Sequence, residues 1–485
     1  MPREAGLAKN GSQRLDEPAS LVYRALLMNV FSPFLRWVPA MMLAVSTAAP
    51  AAQPFHEGDV VGFVGDSITR GGGYHSNVQL FYALRHPEFA LRCYNVGRSG
   101  DTAGGTLKRL DWELLVHKPT AATLMLGMND IGHDFYAPGA TDDQAEARMR
   151  ATVDKIAGPY EQLVGTLEKA GARLTLLGPS IYDDTAQIDK PADKGKNKAL
   201  GLWAARVKEI ADRHHADFVD FHAPMTALNL AGQKKDPKST LVGADRIHPG
   251  PVGHFIMAYL LLKAQGHSSY VAKAGVDATG KTLEAVNCGL TEVKAQGGGV
   301  SFQYLAKALP FPVDAAAAPV LALVPFTTDL NQELLTIKGL GAGWYTLLID
   351  DQPVGDYAAE ALEAGINLAT NPKTPQYQQA LRVAKANEER HRIESSDMRG
   401  IAFIRASVLD PVKADMNDAA AVQAAFEAYA AKHPDPKDFG RAMINLWPRW
   451  MAGREKNEAA VAAAIHTMQT ENQPKPHRVV VKRVK

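Results

Sequence analysis

The sequence contains little cysteine, two residues in 485, which excludes a disulfide-rich scaffold. Neither Cys93 nor Cys288 has a partner at metal-ligand spacing, so a zinc site built on thiolates is not expected. Cys93 lies in an apolar strand pattern, and we expect a buried, inert thiol there. One disulfide between the two cysteines is the open alternative.

An excess of charge of one sign is also missing, because 53 Lys and Arg balance 52 Asp and Glu to a net charge of +1. No general electrostatic attraction to nucleic acid or to an acidic surface is therefore expected. Long hydrophobic runs are absent as well, since no segment approaches the roughly 20 apolar residues that span a bilayer. The sequence thus predicts no nucleic-acid partner and no stable membrane span.

The first 52 residues have the pattern of an upstream segment followed by a signal peptide at about residues 28–52. A short apolar run at 37–45 follows a positive residue and precedes the cleavage motif Ala49-Pro50-Ala51. The run has about half the length that a membrane anchor needs. We expect translation from Met28, cleavage near Ala51 or Ala52, and a periplasmic or secreted product.

With 46% hydrophobic residues, the chain has ample material for a core, and strand and helix patterns alternate from about residue 58 to 265. The predicted strands are 60–64, 89–94, 122–126, 173–177 and 217–221. The predicted helices are 77–85, 106–117, 144–168 with a break at Gly158-Pro159, 198–214 and 252–263. Such alternation indicates a parallel sheet with helices on both faces, and the loops after its strands meet along one edge.

Four loops at that edge carry polar residues. They are Gly65-Asp66-Ser67 after the first strand, 95–102 after the second, Gly127-Met128-Asn129-Asp130 after the third, and Asp245-Arg246-Ile247-His248 before the last helix. A serine on a turn can serve as a nucleophile if a histidine takes its proton and a carboxylate holds the histidine ring. Taken singly, each loop is equally typical of a turn or a helix cap. Their joint occurrence indicates a nucleophilic site.

These blocks resemble the GDSL, or SGNH, hydrolase family of esterases and lipases, over somewhat less than half of the chain. The resemblance implies that Ser67 is the nucleophile, His248 the base and Asp245 the acid that orients it. It also implies an oxyanion hole made by the backbone N–H groups of Ser67 and Gly100 and the side-chain amide of Asn129. The implied fold is α/β, a three-layer flavodoxin-like domain with a parallel sheet.

Several further residues are weaker candidates. Gly97 is the alternative to Gly100 in the oxyanion hole. Substrate-binding positions at the cleft are predicted at Asp66, Tyr74, Arg98 and Tyr182. No cofactor and no metal are expected, because Gly71-Gly72-Gly73 lacks the continuation of a phosphate loop, and His214-His215 and Asp183-Asp184 fit a helix end and a solvated loop better than a metal site.

The second half of the chain shows no chemistry-bearing motif. The predicted domains are 1–52 as upstream segment and signal peptide, 55–268 as hydrolase, 270–356 as a small β-rich module, 357–470 as a helical region and 471–485 as a basic, frayed tail. Strands are expected at 300–305, 320–325, 333–338 and 344–349, all antiparallel. Helices are expected at 358–369, 375–395, 419–432 and 457–468.

The sequence therefore predicts a secreted serine esterase that hydrolyses a short acyl ester, with O-acetyl groups on a carbohydrate as the favoured substrate. Its partner would be a small-molecule or glycan ester. The alternatives are a lipid esterase, lysophospholipase or thioesterase, and a catalytically silent carbohydrate-binding protein. The acyl preference, the oligomeric state and the role of residues 270–485 stay open.

Overall fold

The protein is described here by a computed structural model that covers residues 52–133 and 135–484. The predicted signal peptide lies, apart from Ala52, outside these residues. At Ala52 the backbone N–H donates to the carbonyl of Ala264, at 3.1 Å, so the start of the described chain is fixed to the end of the hydrolase segment.

A five-stranded parallel sheet organises the first half, with strand order β2-β1-β3-β4-β5. The strands are β1 (Val60–Gly65), β2 (Arg92–Gly97), β3 (Ala121–Met125), β4 (Arg173–Leu177) and β5 (Asp217–Val219). β1 and β3 are buried along their whole length, which is why their sequences are continuously apolar or small. This strand order is flavodoxin-like, and the predicted α/β class is confirmed.

Helices on the two faces of the sheet complete the three layers. They are α1 (Ser67–Gly71), α2 (Gly73–Arg85), α3 (Ala103–Leu107), α4 (Leu110–Glu113), α5 (Asp142–Lys169), α6 (Lys196–His214), α7 (His222–Gln233) and α8 (Pro251–Ala264). α2 packs against α8, while α5 packs against α3 and α6. The core lies between these layers and the sheet.

The predicted break at Gly158-Pro159 is wrong, because α5 runs unbroken through Pro159. A proline inside a helix costs about 3 kcal/mol through a lost hydrogen bond and a clash with the preceding turn. Ile156, Tyr160 and Leu163, which lie on both sides of the proline, are buried in the core. Their burial outweighs the cost of the proline.

Two further sheets follow in the second half, with orders β13-β10-β6-β7 and β12-β11-β14-β9-β8. Their strands are β6 (Tyr270–Asp277), β7 (Thr282–Val286), β8 (Cys288–Gln296), β9 (Gly299–Ala306), β10 (Gln332–Lys338), β11 (Trp344–Ile349), β12 (Gln352–Ala358), β13 (Ile366–Asn367) and β14 (His477–Arg483). The expectation of antiparallel strands throughout is wrong for β6 and β10, which pair in parallel. The strand expected at 320–325 is also wrong. Pro319 lies in the first turn of the short 3₁₀ helix Ala318–Ala322, where its fixed φ is tolerated, and Pro325 has no N–H to donate to a strand partner.

The basic tail is not a frayed terminus, and that prediction is wrong. Its segment His477–Arg483 is β14, which lies between β9 and β11 in the middle of the five-stranded sheet. Val479, Val480 and Val481 are buried there, while the neighbouring lysine and arginines point to solvent. Three consecutive β-branched residues supply the apolar surface that charge counting alone overlooked.

The second half also contributes helices α9 (Phe326–Leu330), α10 (Ala359–Ala364), α11 (Pro375–Ile393), α12 (Arg399–Ile404), α13 (Ala419–Lys432) and α14 (Phe439–Glu471). π-helical turns, Glu394–Met398 and Arg405–Leu409, stand at the two ends of α12. α11 packs against α2 and α14, which brings the helical region onto the hydrolase segment. The helix expected at 358–369 ends early, because Gly365 stops α10 and β13 follows.

Within the described residues, no helix is long and apolar enough to cross a bilayer.

Cys93 and Cys288 are both free thiols, so the alternative of a disulfide between them is not realised.

Candidate active site

Ser67 lies at the first position of α1, directly after β1. The turn is held by Asp66, whose Oδ1 accepts the N–H of Ile68 at 2.9 Å. It is also tightly packed, because a Cβ at Gly65 would lie 2.2 Å from Thr69 Oγ1 and 2.7 Å from the carbonyl oxygen of Met125. The strand end and the cap together fix the direction in which the serine hydroxyl leaves the sheet.

Asp245 and His248 lie on one turn of the loop before α8. The Oδ1 atom of Asp245 accepts the backbone N–H groups of Ile247 and His248, each at 3.0 Å. Burial acts to raise the pKa of Asp245, but the hydrogen bonds from His248 and from these backbone groups outweigh it and leave the pKa lowered. The carboxylate is therefore ionised at neutral pH.

Arg246 holds this loop in place. Its φ of 67° is left-handed, and its buried guanidinium donates to carbonyl oxygens, including those of Asp183 at 2.8 Å and Lys190 at 2.7 Å. In the sequence block Asp245-Arg246-Ile247-His248, Arg246 was given no role. Its structural role escaped sequence analysis because the carbonyl groups that it contacts belong to a separate loop.

The structure brings Ser67, His248 and Asp245 into one hydrogen-bonded chain. Ser67 Oγ lies 2.7 Å from His248 Nε2, and His248 Nδ1 lies 2.5 Å from Asp245 Oδ2. The side chains of His248 and Asp245 remain 47% and 44% exposed, so the site is open to solvent on the side of the histidine. This arrangement allows a histidine to take a serine proton while a carboxylate fixes the ring.

Gly100 and Asn129 lie on the neighbouring loops, after β2 and β3. Gly100 has a φ of 72°, a conformation that favours glycine, and a Cβ there would meet no atom within 4 Å. Asn129 is exposed, and its Nδ2 donates to the carbonyl of Asp101 at 2.9 Å. That bond uses one amide hydrogen of Asn129 and leaves the second for another acceptor.

Gly97, the alternative to Gly100, has a different environment. It is the last residue of β2, and a Cβ at this position would lie 2.1 Å from Arg70 N and 2.5 Å from Thr69 C. Gly97 therefore packs directly against the backbone of α1, where no room for a substrate atom remains.

The predicted positions of Tyr74 and Tyr182 at the cleft are wrong. Tyr74 is fully buried and its hydroxyl lies 3.2 Å from Thr69 Oγ1, whereas Tyr182 is 1% exposed and accepts the N–H of Asp193. Both aromatic rings are drawn into the core by their apolar area. Sequence position next to a loop did not show in which direction either ring points.

Asp66 and Arg98 are also engaged with the protein itself. Arg98 donates to Asp101 Oδ1 at 2.5 Å and to Ser407 Oγ at 2.7 Å. Burial raises the pKa of Asp66 to about 7, with the nearby Asp130 and Asp101 acting in the same direction. The pKa of Asp130 is raised to about 6, again chiefly by burial. Asp66 is only 2% exposed, so the prediction that it contacts substrate is wrong for the same reason as for the two tyrosines. For Arg98, which is partly exposed, substrate contact stays a prediction.

The residues weighed as metal ligands bond to protein groups. His214 lies 2.9 Å from Glu168 and 3.3 Å from Glu161, and Asp183 accepts from Thr185, Ala186 and Gln233. In the part of the chain that the structure describes, no group of three potential ligands is placed to hold a metal ion.

Comparison with known proteins connects this geometry to a family. The model of the GDSL-like lipase/acylhydrolase family matches residues 63–256. An acetylxylan esterase of Geobacillus stearothermophilus is 24% identical over 229 residues, which are 43% of this chain and 94% of the relative. A solved structure described as a gut microbial diltiazem-metabolizing enzyme is 34% identical, with a TM-score of 0.81, and the match covers 90% of this chain and 100% of the other.

Proposed function

This chain belongs to the GDSL/SGNH hydrolases and is a carboxylic ester hydrolase, and from that premise we propose that Ser67, His248 and Asp245 carry out the hydrolysis through an acyl-enzyme. The observation that supports the proposal is the continuous chain of hydrogen bonds from Ser67 Oγ through both ring nitrogens of His248 to Asp245. We further propose that the substrate is a short acyl ester, foremost an O-acetyl group on a carbohydrate.

In the first half-reaction His248 Nε2 takes the proton of Ser67 Oγ as the oxygen attacks the ester carbonyl. Asp245 keeps the ring oriented and stabilises the imidazolium that forms. The tetrahedral intermediate then collapses, the C–O bond to the alcohol breaks, and the imidazolium returns its proton to the leaving alcohol. The acyl group remains on Ser67.

In the second half-reaction a water replaces the alcohol. His248 takes a proton from this water, whose oxygen attacks the acyl carbonyl, and the imidazolium then protonates Ser67 Oγ as the carboxylic acid leaves. Because the side chains of His248 and Asp245 are about half exposed, water reaches the base without a conformational change.

The negative charge of both tetrahedral intermediates falls on the former carbonyl oxygen. We assign its stabilisation to the backbone N–H groups of Ser67 and Gly100 and to the Asn129 amide. Donors that are fixed before reaction stabilise a developing oxyanion at little cost of reorganisation. The open space beside Gly100 and the free amide hydrogen of Asn129 are consistent with this role.

The proposal of a carbohydrate O-acetyl substrate is supported by three features. The relative from Geobacillus stearothermophilus is named an acetylxylan esterase. The open side of His248 leaves space for a bulky alcohol, which this residue would protonate. The loops near Ser67 carry glycine and polar residues, and a long acyl chain needs a more apolar lining.

A bulky ester of non-carbohydrate origin is the second candidate. Its support is the 34% identity to the diltiazem-metabolizing enzyme, which extends over 90% of this chain and so includes the second half. The match to the acetylxylan esterase covers 43% of this chain.

Export with cleavage near Ala51 or Ala52 is a further proposal. Mass determination of the N-terminus after expression in a bacterium tests it.

The experiment compares kcat/KM for p-nitrophenyl acetate, butyrate, octanoate and palmitate, and then for acetylated xylooligosaccharides and diltiazem. We expect acetate to be the best simple ester and the acetylated oligosaccharides to exceed diltiazem. A maximum at octanoate or palmitate would instead indicate a lipid esterase, and a preference for diltiazem would favour the second candidate.

The nucleophile is tested with Ser67→Ala and a fluorophosphonate probe. The variant should lose probe labelling and keep at most a residual rate about 10³–10⁴ above that in water. Ser396→Ala is the matched control, because Ser396 is an exposed serine that donates to a carbonyl of its own helix. Labelling and turnover that persist in Ser67→Ala would refute the mechanism and indicate a silent site at Ser67.

A further inference from the structure

We propose that Arg399, in the C-terminal helical region, is a positioning residue for ester hydrolysis that holds the loop of Gly100. The inference rests on the proposed function, since it concerns the same oxyanion donors. It gives the helical region a part in the reaction that its lack of catalytic motifs did not indicate.

Arg399 is the first residue of α12. Arg399 is 8% exposed, and its Nε donates to the carbonyl of Gly97 at 2.9 Å. Its guanidinium also donates to Glu113 Oε1. Gly97 is the last residue of β2, only three residues before Gly100, so Arg399 bonds directly to the start of the oxyanion loop.

A buried ionic chain continues from Glu113. Glu113 accepts from Arg109, and Arg109 donates through Nε and through Nη2 to Asp101 Oδ2, at 2.8 and 2.6 Å. The side chains of Arg109, Glu113 and Asp101 are at most 5% exposed. Charges in such a position interact strongly, and each has a hydrogen-bonded counterion, so the loss of one partner leaves a buried charge uncompensated.

Asp101 links this chain to the proposed oxyanion donors. It directly follows Gly100, and its carbonyl accepts the Nδ2 of Asn129 at 2.9 Å. A displacement of Asp101 would therefore move the Gly100 N–H and rotate the Asn129 amide together. The carboxylate of Asp101 is held on its other side by Arg98, at 2.5 Å.

The helical region contacts the buried ionic chain at two points, and both contacts lie in or beside the π-helical turns. Arg399 follows the first turn, and Ser407, within the second, lies 2.7 Å from Arg98. π-turns recur at functional sites, where they redirect side chains from a helix. Here they place one contact at each end of the ionic chain.

The position of the loop matters for the nucleophile as well. Gly97 packs against Arg70 N and Thr69 C, which belong to the helix that begins with Ser67. Loss of the Arg399 contact would let β2 and its loop shift relative to that helix. A displacement of about 1 Å can reduce turnover about 10²-fold without abolishing substrate binding.

The principal test uses Arg399→Ala with p-nitrophenyl acetate. We expect kcat to fall about 10- to 100-fold, by analogy with a misplaced oxyanion donor, while KM changes less than about twofold. Arg399 and Glu113 line a cavity of about 990 Å³, through which small ions can reach this position. Guanidinium, added up to the highest concentration that leaves the wild-type rate unchanged, should therefore restore part of kcat in Arg399→Ala.

Arg449→Ala is the matched control, because this arginine of the same helical region is 68% exposed at its side chain. It should retain wild-type kcat and gain nothing from guanidinium. If Arg399→Ala does not fold, Arg399→Met replaces it, since methionine keeps an unbranched side chain of similar length and removes the donors to both Gly97 and Glu113. Its kcat should fall while KM is kept.

Wild-type kcat in Arg399→Ala, or a loss of kcat that guanidinium does not restore, would overturn the inference. If Arg399→Met is the variant used, wild-type kcat would overturn it in the same way. Failure of the proposed function has a different signature, because it would appear as Ser67-independent turnover. The inference is tested on the fraction of activity that Ser67→Ala removes.

Discussion

Replacement of Asp66 by asparagine should remove a pH dependence of stability that the structure assigns to this residue. Burial raises the pKa of Asp66 from 3.8 to about 7, assisted by Asp130 and Asp101. At a pH between these two pKa values, Asp66 is protonated in the folded protein and ionised in the unfolded chain. Since the unfolded state binds fewer protons in this range, the free energy of unfolding falls as pH rises from about 4 to about 7. Above about pH 7, the contribution of Asp66 no longer changes with pH.

The magnitude follows from the size of the shift. About three pKa units, at 1.36 kcal/mol each, give about 4 kcal/mol of stability lost across this window, as an upper value for a fully buried group. Asp66→Asn has no proton to lose. Its amide oxygen can still accept the Ile68 N–H, so the cap of α1 is preserved.

The assay is equilibrium unfolding in urea, followed by tryptophan fluorescence, at intervals from pH 4.5 to 7.5. The stability of the wild type minus that of Asp66→Asn should decrease steadily up to about pH 7. Asp418→Asn is the control, because Asp418 caps α13 at an exposed position and the exchange has the same chemistry. Parallel curves for wild type and Asp66→Asn would refute the assignment of a buried, protonated Asp66.

Three further changes test the site and the fold. Asn129→Ala should lower kcat for p-nitrophenyl acetate about 10²–10³-fold with little change in KM, and a loss of less than twofold would remove the Asn129 amide from the oxyanion hole. Gly97→Ala places a Cβ 2.1 Å from Arg70 N, so it should lower both the melting temperature and kcat, whereas Gly104→Ala meets no atom within 4 Å and should be tolerated. Deletion of residues 477–485 removes β14 and should abolish cooperative unfolding in circular dichroism, whereas deletion of 484–485 should not.

The local sequence determined much of the hydrolase segment. Apolar runs that end at glycine predicted β1, β3 and β4 to within one residue, because a buried parallel strand must be apolar on both faces. The spacing of Asp245 and His248 placed both on one turn. The order of the four loops indicated the family that the comparisons then showed.

The directions of single side chains were not determined in this way. Tyr74 and Tyr182 were expected at the cleft because they are amphipathic and stand near its loops, but both rings are buried. A short helix or loop segment contains no periodic signal that tells its inner face from its outer face. The long-range packing decides between them.

Contacts between distant segments were decided only by the tertiary structure. Arg399 and Glu113 are 286 residues apart, and each has a charged side chain that local reasoning assigns to a solvated surface. β14 became the middle strand of a sheet because β9 and β11 offered unpaired backbone groups on either side. Sequence patterns report which residues need burial or a partner, but chain topology determines which partner is within reach.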